Sequence, residues 1–521
     1  MIKFTEIYQF LIKSSDHSLK IGALSNFAGS AWTAVLSLLF VPIYLHYLGV
    51  ESYGLIGVFN SLQAFAWLFD FGLSAVINRE LARLAAQPGK TQEMRDLSRT
   101  IEWLNWLMAI LIAGFFLALS PLIARYWLQS ESLSTITVSQ SLMIMSLGFT
   151  AQWSLNLYTN GLIGLQRLPL LNGINIVCFT LRSVGSVVVL AFVSATIQAF
   201  LIWQAIVSSI QTILTALTFR RSLPAASSPA RFRWRLLRER RHFAAGLTGL
   251  SVLGLILHQL DKVILSKMLS LEFFGYYTLA TTITGFGLGI IPKGIASAVY
   301  PRFSYLVARG EQRQLSDLYH RSTQATSALL LPAVSILAVF PFEILKLWTR
   351  SETTAQNTWA LLMVLAIGSA IFGLINIPYY MQLAHGWTKI VFWAAITSIT
   401  VVTPVMIVTV PIYGAIAGAV CWTFINLLHL LIYIEAMHRY TLKGEQWKWY
   451  FVDVAKPFAV AFIAAVLCRE VLGTDFTQIG LLLILIVSTA FTYVCTMLST
   501  DFVRDWIRQF YKNRIGYASQ S

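Results

Sequence analysis

The chain has 521 residues, of which 57% are hydrophobic and 12% are charged. Soluble domains carry about twice that charged share, so the composition excludes a water-soluble globular enzyme. The formal net charge is +15. The four cysteines stand singly, without the paired spacing of a zinc or redox site, and we expect them to be buried small apolar residues: Cys178, Cys421, Cys468 and Cys495.

Apolar runs of the roughly 20 residues needed to cross the bilayer as helix recur along the whole chain. The predicted fold is therefore all-α, a polytopic membrane protein with about 14 transmembrane helices. The candidate spans are bounded by charged or turn residues: 21–47, 53–78, 101–123, 137–157, 168–192, 197–219, 243–266, 273–297, 323–345, 358–381, 389–410, 412–434, 455–472 and 477–498.

The two ends of the chain resemble each other in pattern. In residues 1–20 the apolar positions follow helical spacing among polar and lysine residues, which predicts an amphipathic helix lying on the membrane and argues against a signal peptide. Residues 499–521 repeat this pattern, with apolar residues on one face of a helix and basic residues elsewhere. We expect an amphipathic cytoplasmic tail.

The basic residues fix the predicted orientation. With both termini cytoplasmic, thirty of the 38 Lys and Arg residues fall in cytoplasmic loops, five fall in the opposite loops and three lie within spans. Cytoplasmic loops of membrane proteins carry such an excess, so an even number of spans with both termini inside is predicted. The net charge follows from this topology, and no nucleic-acid partner is expected.

An internal repeat divides the chain. The basic segment 220–241 reads as a cytoplasmic linker between a six-helix bundle at 21–219 and a second at 242–438, followed by two additional helices within 455–498. Because six is even, the copies are parallel repeats about an axis along the membrane normal, as in alternating-access transporters. A single shift of 221 residues superposes Leu48 on Leu269, Glu51 on Glu272, Gly54 on Gly275, Gly89 on Gly310, Asp96 on Asp317 and Trp127 on Trp348.

The sequence resembles the polysaccharide and O-antigen flippases of the Wzx type, in the MOP superfamily that also holds multidrug MATE antiporters and the peptidoglycan lipid flippase. Three stretches carry the likeness: Pro42 to Gly54 at the end of span 1; Asp70-Phe71-Gly72-Leu73 followed by Asn78-Arg79-Glu80-Leu81-Ala82; and Asp261-Lys262-Val263-Ile264-Leu265 through Gly275-Tyr276-Tyr277.

The resemblance implies a function and a location. It implies that the protein moves a lipid-linked oligosaccharide, carried on undecaprenyl diphosphate, from the cytoplasmic to the periplasmic leaflet of a bacterial inner membrane. It also implies that spans 1 and 8 line a lateral portal, and that spans 13 and 14 form a groove for the lipid tail. The expected partners are this substrate, membrane lipids, H⁺ or Na⁺ as coupling ion, and polysaccharide polymerase machinery. No cofactor and no metal are expected.

Ionisable groups inside the membrane are costly and need a partner or a watery cavity. Arg182 lies near the middle of span 5 and is the strongest candidate for the substrate, because a guanidinium binds phosphate oxygens in a fork geometry. The alternative role is structural, capping carbonyl groups between packed helices.

Asp70 and Lys293 lie at similar depth, since the shift of 221 places Gly72 on Lys293. We hypothesise that they pair to close the cytoplasmic side, and that Lys293 meets the diphosphate when the cavity faces inward. The alternative is that each is held locally or extends to the membrane surface.

Span 7 carries His258, Asp261 and Lys262 in its outer half. Asp261 and His258 share a helix face and are candidates for coupling to a proton or sodium ion, and the alternative is a polar contact that stabilises the fold. Lys262 is a candidate for substrate binding or gating. It points about 100° away from Asp261 around the helix, so these neighbours are not expected to pair with each other.

Missing motifs narrow the choice of function. The chain has no phosphate-binding Gly-x-x-x-x-Gly-Lys loop and no metalloprotease or hydrolase motif. Its rivals are a MATE-like drug or metabolite antiporter, which relies on cavity acids, and a membrane enzyme of polysaccharide assembly, which needs a larger outer loop. The run 285–289 carries three glycines and predicts close helix contact or a hinge in span 8.

We predict that reporter enzymes fused within segment 220–241 act on the cytoplasmic side. The eight basic residues of this segment give it the strongest retention signal in the chain. Alkaline phosphatase fused there will be inactive, and a cytoplasmic reporter will be active. The reverse result would overturn the parallel repeat.

Overall fold

The structure is a computed structural model that describes residues 17–70, 72–226, 228–238, 241–387, 389–473, 477–501, 503 and 504. Residues 1–16 and 505–521, which hold most of the predicted terminal amphipathic helices, lie outside this description. The described residues form two compact units, one up to Gly275 and one from Tyr276. We call them the N-terminal unit and the C-terminal unit.

The N-terminal unit is built from helices throughout. They are α1 (His17–Ala66), a short 3-10 turn (Trp67–Asp70), α2 (Leu73–Ala85), α3 (Thr91–Leu122), α4 (Thr135–Gly164), α5 (Leu168–Phe192), α6 (Ile197–Ser222), the short α7 (Trp234–Arg238), α8 (Arg241–Met268) and the start of α9 (Leu271–Leu288).

The C-terminal unit holds the rest of α9 and the remaining helices. They are α10 (Ile290–Arg309), α11 (Gln312–Val339), α12 (Pro341–Thr349), α13 (Glu352–Ala384), α14 (Lys389–Tyr413), α15 (Ala415–Leu428), α16 (Ile434–Tyr440), the short α17 (Gln446–Lys448), α18 (Lys456–Leu472) and α19 (Gln478–Ser499).

The prediction of an all-α polytopic membrane protein is confirmed. In the described residues eleven helical stretches are long and apolar enough to cross a membrane. The predicted spans 137–157 and 243–266 correspond to α4 and α8. The first two predicted spans both fall in α1, where the non-helical backbone of Gly49, at φ +77°, separates them. One face of α4 carries three side-chain amides, Gln152, Asn156 and Asn160, and α4 is not among the eleven stretches.

Two predicted spans are interrupted. Span 2 does not run unbroken over 53–78, because the 3-10 turn follows α1 and Gly72, at φ +74°, precedes α2. Span 8 is interrupted at Gly289, between α9 and α10. A Cβ at Gly289 would lie 2.5 Å from the carbonyl oxygen of Gly285, so the glycines permit a tight junction of two helices at this point.

Residues related by the shift of 221 approach each other within the N-terminal unit. A Cβ on Gly54 would lie 2.1 Å from the carbonyl oxygen of Leu271, and a Cβ on Gly275 would lie 2.3 Å from that of Val50. The shift of 221 residues converts each of these contacts into the other. Only glycine allows two backbones to approach so closely.

The basic linker is bound to the start of α3. The guanidinium of Arg233 lies 2.8 Å from a carboxylate oxygen of Asp96, which also accepts a 2.8 Å hydrogen bond from the Arg231 amide. Arg220 pairs with Glu102, and the Arg95 side chain donates to the carbonyl of Pro224 at 2.7 Å. The described part of the linker is therefore bound to the N-terminal unit.

The C-terminal unit contains a corresponding contact in which the carboxylates lie on the segment that follows the helices. His320 near the start of α11 is buried between Asp453 and Glu445, both from the segment that follows α16. The side-chain amide of Gln324 also donates to Asp453, at 2.8 Å. Burial alone would raise the pKa of Glu445, but the nearby His320 and Lys448 and a hydrogen bond from Ser316 hold it below its usual range.

We predict that Gly54→Ala lowers the apparent melting temperature of the purified protein. The new methyl group has no room beside the Leu271 carbonyl, and overpacking of this kind costs about 1–3 kcal/mol. The matched control is Gly114→Ala in α3, where nothing lies within 4 Å of the new Cβ. That control should be neutral or slightly stabilising, because alanine favours helix over glycine by about 1 kcal/mol. Equal melting temperatures for the two variants would contradict the contact.

Candidate functional site

A stripe of polar residues runs along one face of α6. Gln204, Ser208, Gln211 and Thr215 follow spacings of four, three and four residues, which places them on one side of a helix. The side chains of Ser208, Gln211 and Thr215 are buried. Polar groups buried inside a membrane protein need partners, so this stripe marks where the N-terminal unit satisfies them.

Arg182 on α5 reaches this stripe. One terminal nitrogen of its guanidinium donates to the Ser208 hydroxyl at 3.1 Å and to the Gln211 side-chain oxygen at 2.9 Å. The amide of Gln211 in turn donates to Asn175 at 3.0 Å. Tyr44 of α1 donates to the backbone carbonyl of the neighbouring Ser183, at 3.3 Å.

The network continues into α4 and α1. The Gln152 side-chain amide donates to Ser208 at 3.2 Å, and its oxygen is bonded to the amide of Gln63. Four helices thus contribute to one connected set of polar side chains, which we call the Arg182 network: Gln63, Gln152, Asn175, Arg182, Ser208 and Gln211.

The charge of this network decides what it can bind. Every partner of the Arg182 guanidinium in the described residues is neutral, so its positive charge is not balanced by a carboxylate. Its Nε–H group is buried and donates to no described protein atom. Arg182 also lies ten residues from the nearer end of α5, about 15 Å along the helix, which is farther than its side chain extends. A cation held in this way attracts an anionic ligand.

Asp70 lies in the same unit and has a local role in the structure. Its carboxylate accepts from the Ser74 hydroxyl at 2.7 Å and from the Ser74 amide at 3.2 Å, at the start of α2. Asn156 of α4 donates to the same hydroxyl at 2.8 Å. This places Asp70 near α4 one turn along from Gln152, but no described hydrogen bond joins it to the Arg182 network.

The other candidates are spread over α8 and α10. On α8, Asp261 is buried, His258 is exposed, and the Lys262 amine lies 3.5 Å from the Gln259 side-chain oxygen. Lys293 is exposed on α10, in the C-terminal unit. The structure thus brings Arg182 and Asp70 into neighbouring parts of one unit, and the pairing of Asp70 with Lys293 stays a prediction.

Sequence reasoning missed the neutral partners of Arg182. It weighed only ionisable residues, whereas the network is made of amides and hydroxyls. The signal was present in α6, where four polar residues recur at helical spacing along one face. A polar stripe in a transmembrane span predicts a buried network of hydrogen bonds between helices. A contact between this stripe and Arg182 could therefore have been predicted.

Long apolar helices, two units and a cation inside one of them define a polytopic membrane transporter. A model of the family described as polysaccharide biosynthesis protein matches residues 47–351, more than half of the chain. The chain therefore belongs to this family of polysaccharide biosynthesis proteins, and the predicted resemblance is confirmed.

Two curated relatives are similar over most of their length. A Shigella flexneri protein named for O-antigen transport is 22% identical over 388 residues, covering 74% of this chain and 89% of the relative. The succinoglycan biosynthesis transport protein ExoT of Rhizobium meliloti (strain 1021) is 24% identical over 426 residues, covering 80% of this chain and 77% of the relative.

Solved structures share the fold. The lipid II flippase MurJ, in an inward closed conformation, matches with a TM-score of 0.71 at 16% identity, over 93% of this chain and 99% of that chain. The MATE multidrug transporter DinF-BH matches with a TM-score of 0.56 at 13% identity, over 82% of this chain and 96% of that chain. At these identities the likeness concerns the fold alone.

Proposed function

We propose that this protein is a flippase that moves an undecaprenyl diphosphate-linked oligosaccharide across the bacterial inner membrane by alternating access. The observation that carries the proposal is Arg182, a half-buried cation whose hydrogen-bond partners among the described residues are all neutral. A diphosphate group supplies the missing negative charge, and its oxygens fit the fork of a guanidinium.

Family and relatives agree with such a substrate. The family is one of polysaccharide biosynthesis, and the two relatives are named for transport of O-antigen and for succinoglycan biosynthesis transport. The MATE fold also serves a multidrug transporter. An anionic ligand is favoured over a cationic drug because Arg182 would repel the latter.

The arrangement we propose keeps the predicted topology. Both termini are cytoplasmic, the bundles 21–219 and 242–438 rock against each other, and the helices of 455–498 stand outside the repeat. Asp261 and His258 are the proposed groups for an H⁺ or Na⁺ ion that drives the cycle, and Lys262 contributes to the substrate path. The polysaccharide polymerase machinery receives the flipped product.

We predict that Arg182→Met strongly weakens rescue of a strain in which the gene is deleted. That strain should accumulate undecaprenyl-linked oligosaccharide in lipid extracts, and the wild-type gene should clear it. Losing hydrogen bonds to a charged ligand costs about 1.5–3 kcal/mol, so transport should fall about ten- to hundredfold. Arg182→Lys keeps the charge without the fork and should be intermediate.

The matched control is Arg167→Met, at the exposed N-terminal end of the same helix. It should transport normally. The amount of each variant in the membrane is measured in parallel, so that a folding defect is recognised as such. Normal clearance by Arg182→Met at wild-type amounts would remove Arg182 from the mechanism.

We further propose that Asp70 and Lys293 form the inner gate. Asp70 must exchange its bonds to Ser74 for the new partner, whereas Lys293 is exposed and has no side-chain partner among the described residues. Asp70→Lys and Lys293→Asp should each lose transport, and the double exchange should recover a substantial part of it. A double variant no better than the singles would show that the residues act separately.

A further inference from the structure

An open groove lies on the surface of the N-terminal unit between α3, α4 and α6, away from the Arg182 network. Its volume is about 540 Å³. Leu147, Ile213 and Leu217 line it and leave 61%, 58% and 44% of their surfaces exposed. Large exposed apolar side chains on transmembrane helices face hydrocarbon chains, so the groove walls suit an acyl chain.

One end of the groove is polar and carries surplus positive charge. Arg220 lines this end and pairs with Glu102, which lies 3.3 Å from Arg99 as well. Tyr158 donates to Glu102 at 2.6 Å and accepts from Trp106 at 3.0 Å. Two arginines share one carboxylate here, so one positive charge is left for a ligand.

The apolar walls and the basic end of the groove together indicate which ligand would bind. An apolar groove that leads to an arginine with surplus charge matches a molecule with a hydrocarbon chain and an anionic head. We propose that this groove is a binding site for an anionic glycerophospholipid, whose phosphate lies against Arg220 and whose acyl chain lies between α4 and α6. The predicted topology puts Arg220 at the cytoplasmic surface, at the level of phospholipid headgroups.

The oligosaccharide of the transported substrate does not fit this groove. Sugar hydroxyls need polar walls, and the hydroxyls that line it are largely engaged in the protein. Thr212 donates to the carbonyl oxygens of Ala151 and Ser208, and Ser209 donates to that of Ala205. The proposal is therefore independent of the substrate site.

Such a lipid would lie against α6, the helix whose side chains accept hydrogen bonds from Arg182. Ser209, Ile213, Leu217 and Arg220 form one face of α6 and line the groove, whereas Ser208 and Gln211 on another face bind Arg182. The hydrogen bond from Thr212 to the Ala151 carbonyl also joins α6 to α4. An occupied groove supports α6 from the side that faces the membrane.

The test is native mass spectrometry of the purified full chain, titrated with phosphatidylglycerol and with phosphatidylcholine of the same acyl chains. The wild type should retain phosphatidylglycerol preferentially. Arg220→Gln should reduce that preference about fivefold, the effect of one arginine near a headgroup. The matched control Arg221→Gln changes the next residue, which is exposed and does not line the groove, and should leave the preference unchanged.

A second variant tests the groove independently, in case Arg220→Gln fails to fold. Ser209→Phe fills the groove without touching the Arg220–Glu102 pair and should lower retention of the bound lipid. The proposal is overturned if the wild type shows no preference, if Arg221→Gln acts as strongly as Arg220→Gln, or if Ser209→Phe binds as much lipid as the wild type. Displacement of phosphatidylglycerol from the wild type by a polyprenyl phosphate at equal concentration would also overturn it, by assigning the groove to the substrate carrier.

Discussion

The hydrogen bonds between Arg182 and the neutral side chains of α6 are the interaction on which the functional account depends. A charged group near the centre of a membrane helix is tolerated only when its surroundings compensate for lost hydration. Here the compensation comes from dipoles, Ser208 and Gln211, and not from a carboxylate. The arginine is thereby stabilised in place while its charge is kept, and a ligand with negative charge is the natural counter-ion. A salt bridge at this position would have stabilised the helices equally well and left nothing for a substrate to bind.

The two units hold similar contacts together with different chemistry. In each unit a segment that follows several helices is bound near the start of an earlier helix, α3 in the N-terminal unit and α11 in the C-terminal unit. In the N-terminal unit the helix supplies the acid, Asp96, and the linker supplies arginine. In the C-terminal unit the helix supplies His320 and the following segment supplies Asp453. The position of the contact is the common feature, and the carboxylate comes from the helix in one unit and from the following segment in the other.

Much of the fold could be predicted from the sequence, because hydrophobic length and the distribution of basic residues act over whole spans. The interruption of span 2 could not, since it depends on a local 3-10 turn and on one glycine, Gly72, just before α2, which do not alter the mostly apolar composition of the span. The candidate site divides in the same way. Arg182 stood out as a charge in an apolar span, whereas its partners are ordinary amides and hydroxyls whose meaning depends on which helices pack together. Pairing across units, as proposed for Asp70 and Lys293, depends on tertiary geometry that a pattern along one chain does not contain.

The central claim is that Arg182 in the N-terminal unit binds the diphosphate of the substrate. A vesicle assay tests this claim most directly. Purified protein is reconstituted with a polyprenyl diphosphate-linked oligosaccharide or with an uncharged polyprenyl glycoside of the same sugar, and a membrane-impermeant glycosidase reports which glycans reach the outer leaflet. The account predicts that the protein accelerates exposure of the diphosphate-linked glycan and leaves the uncharged glycoside at the rate of protein-free vesicles. Equal acceleration of both, or of neither, would contradict it.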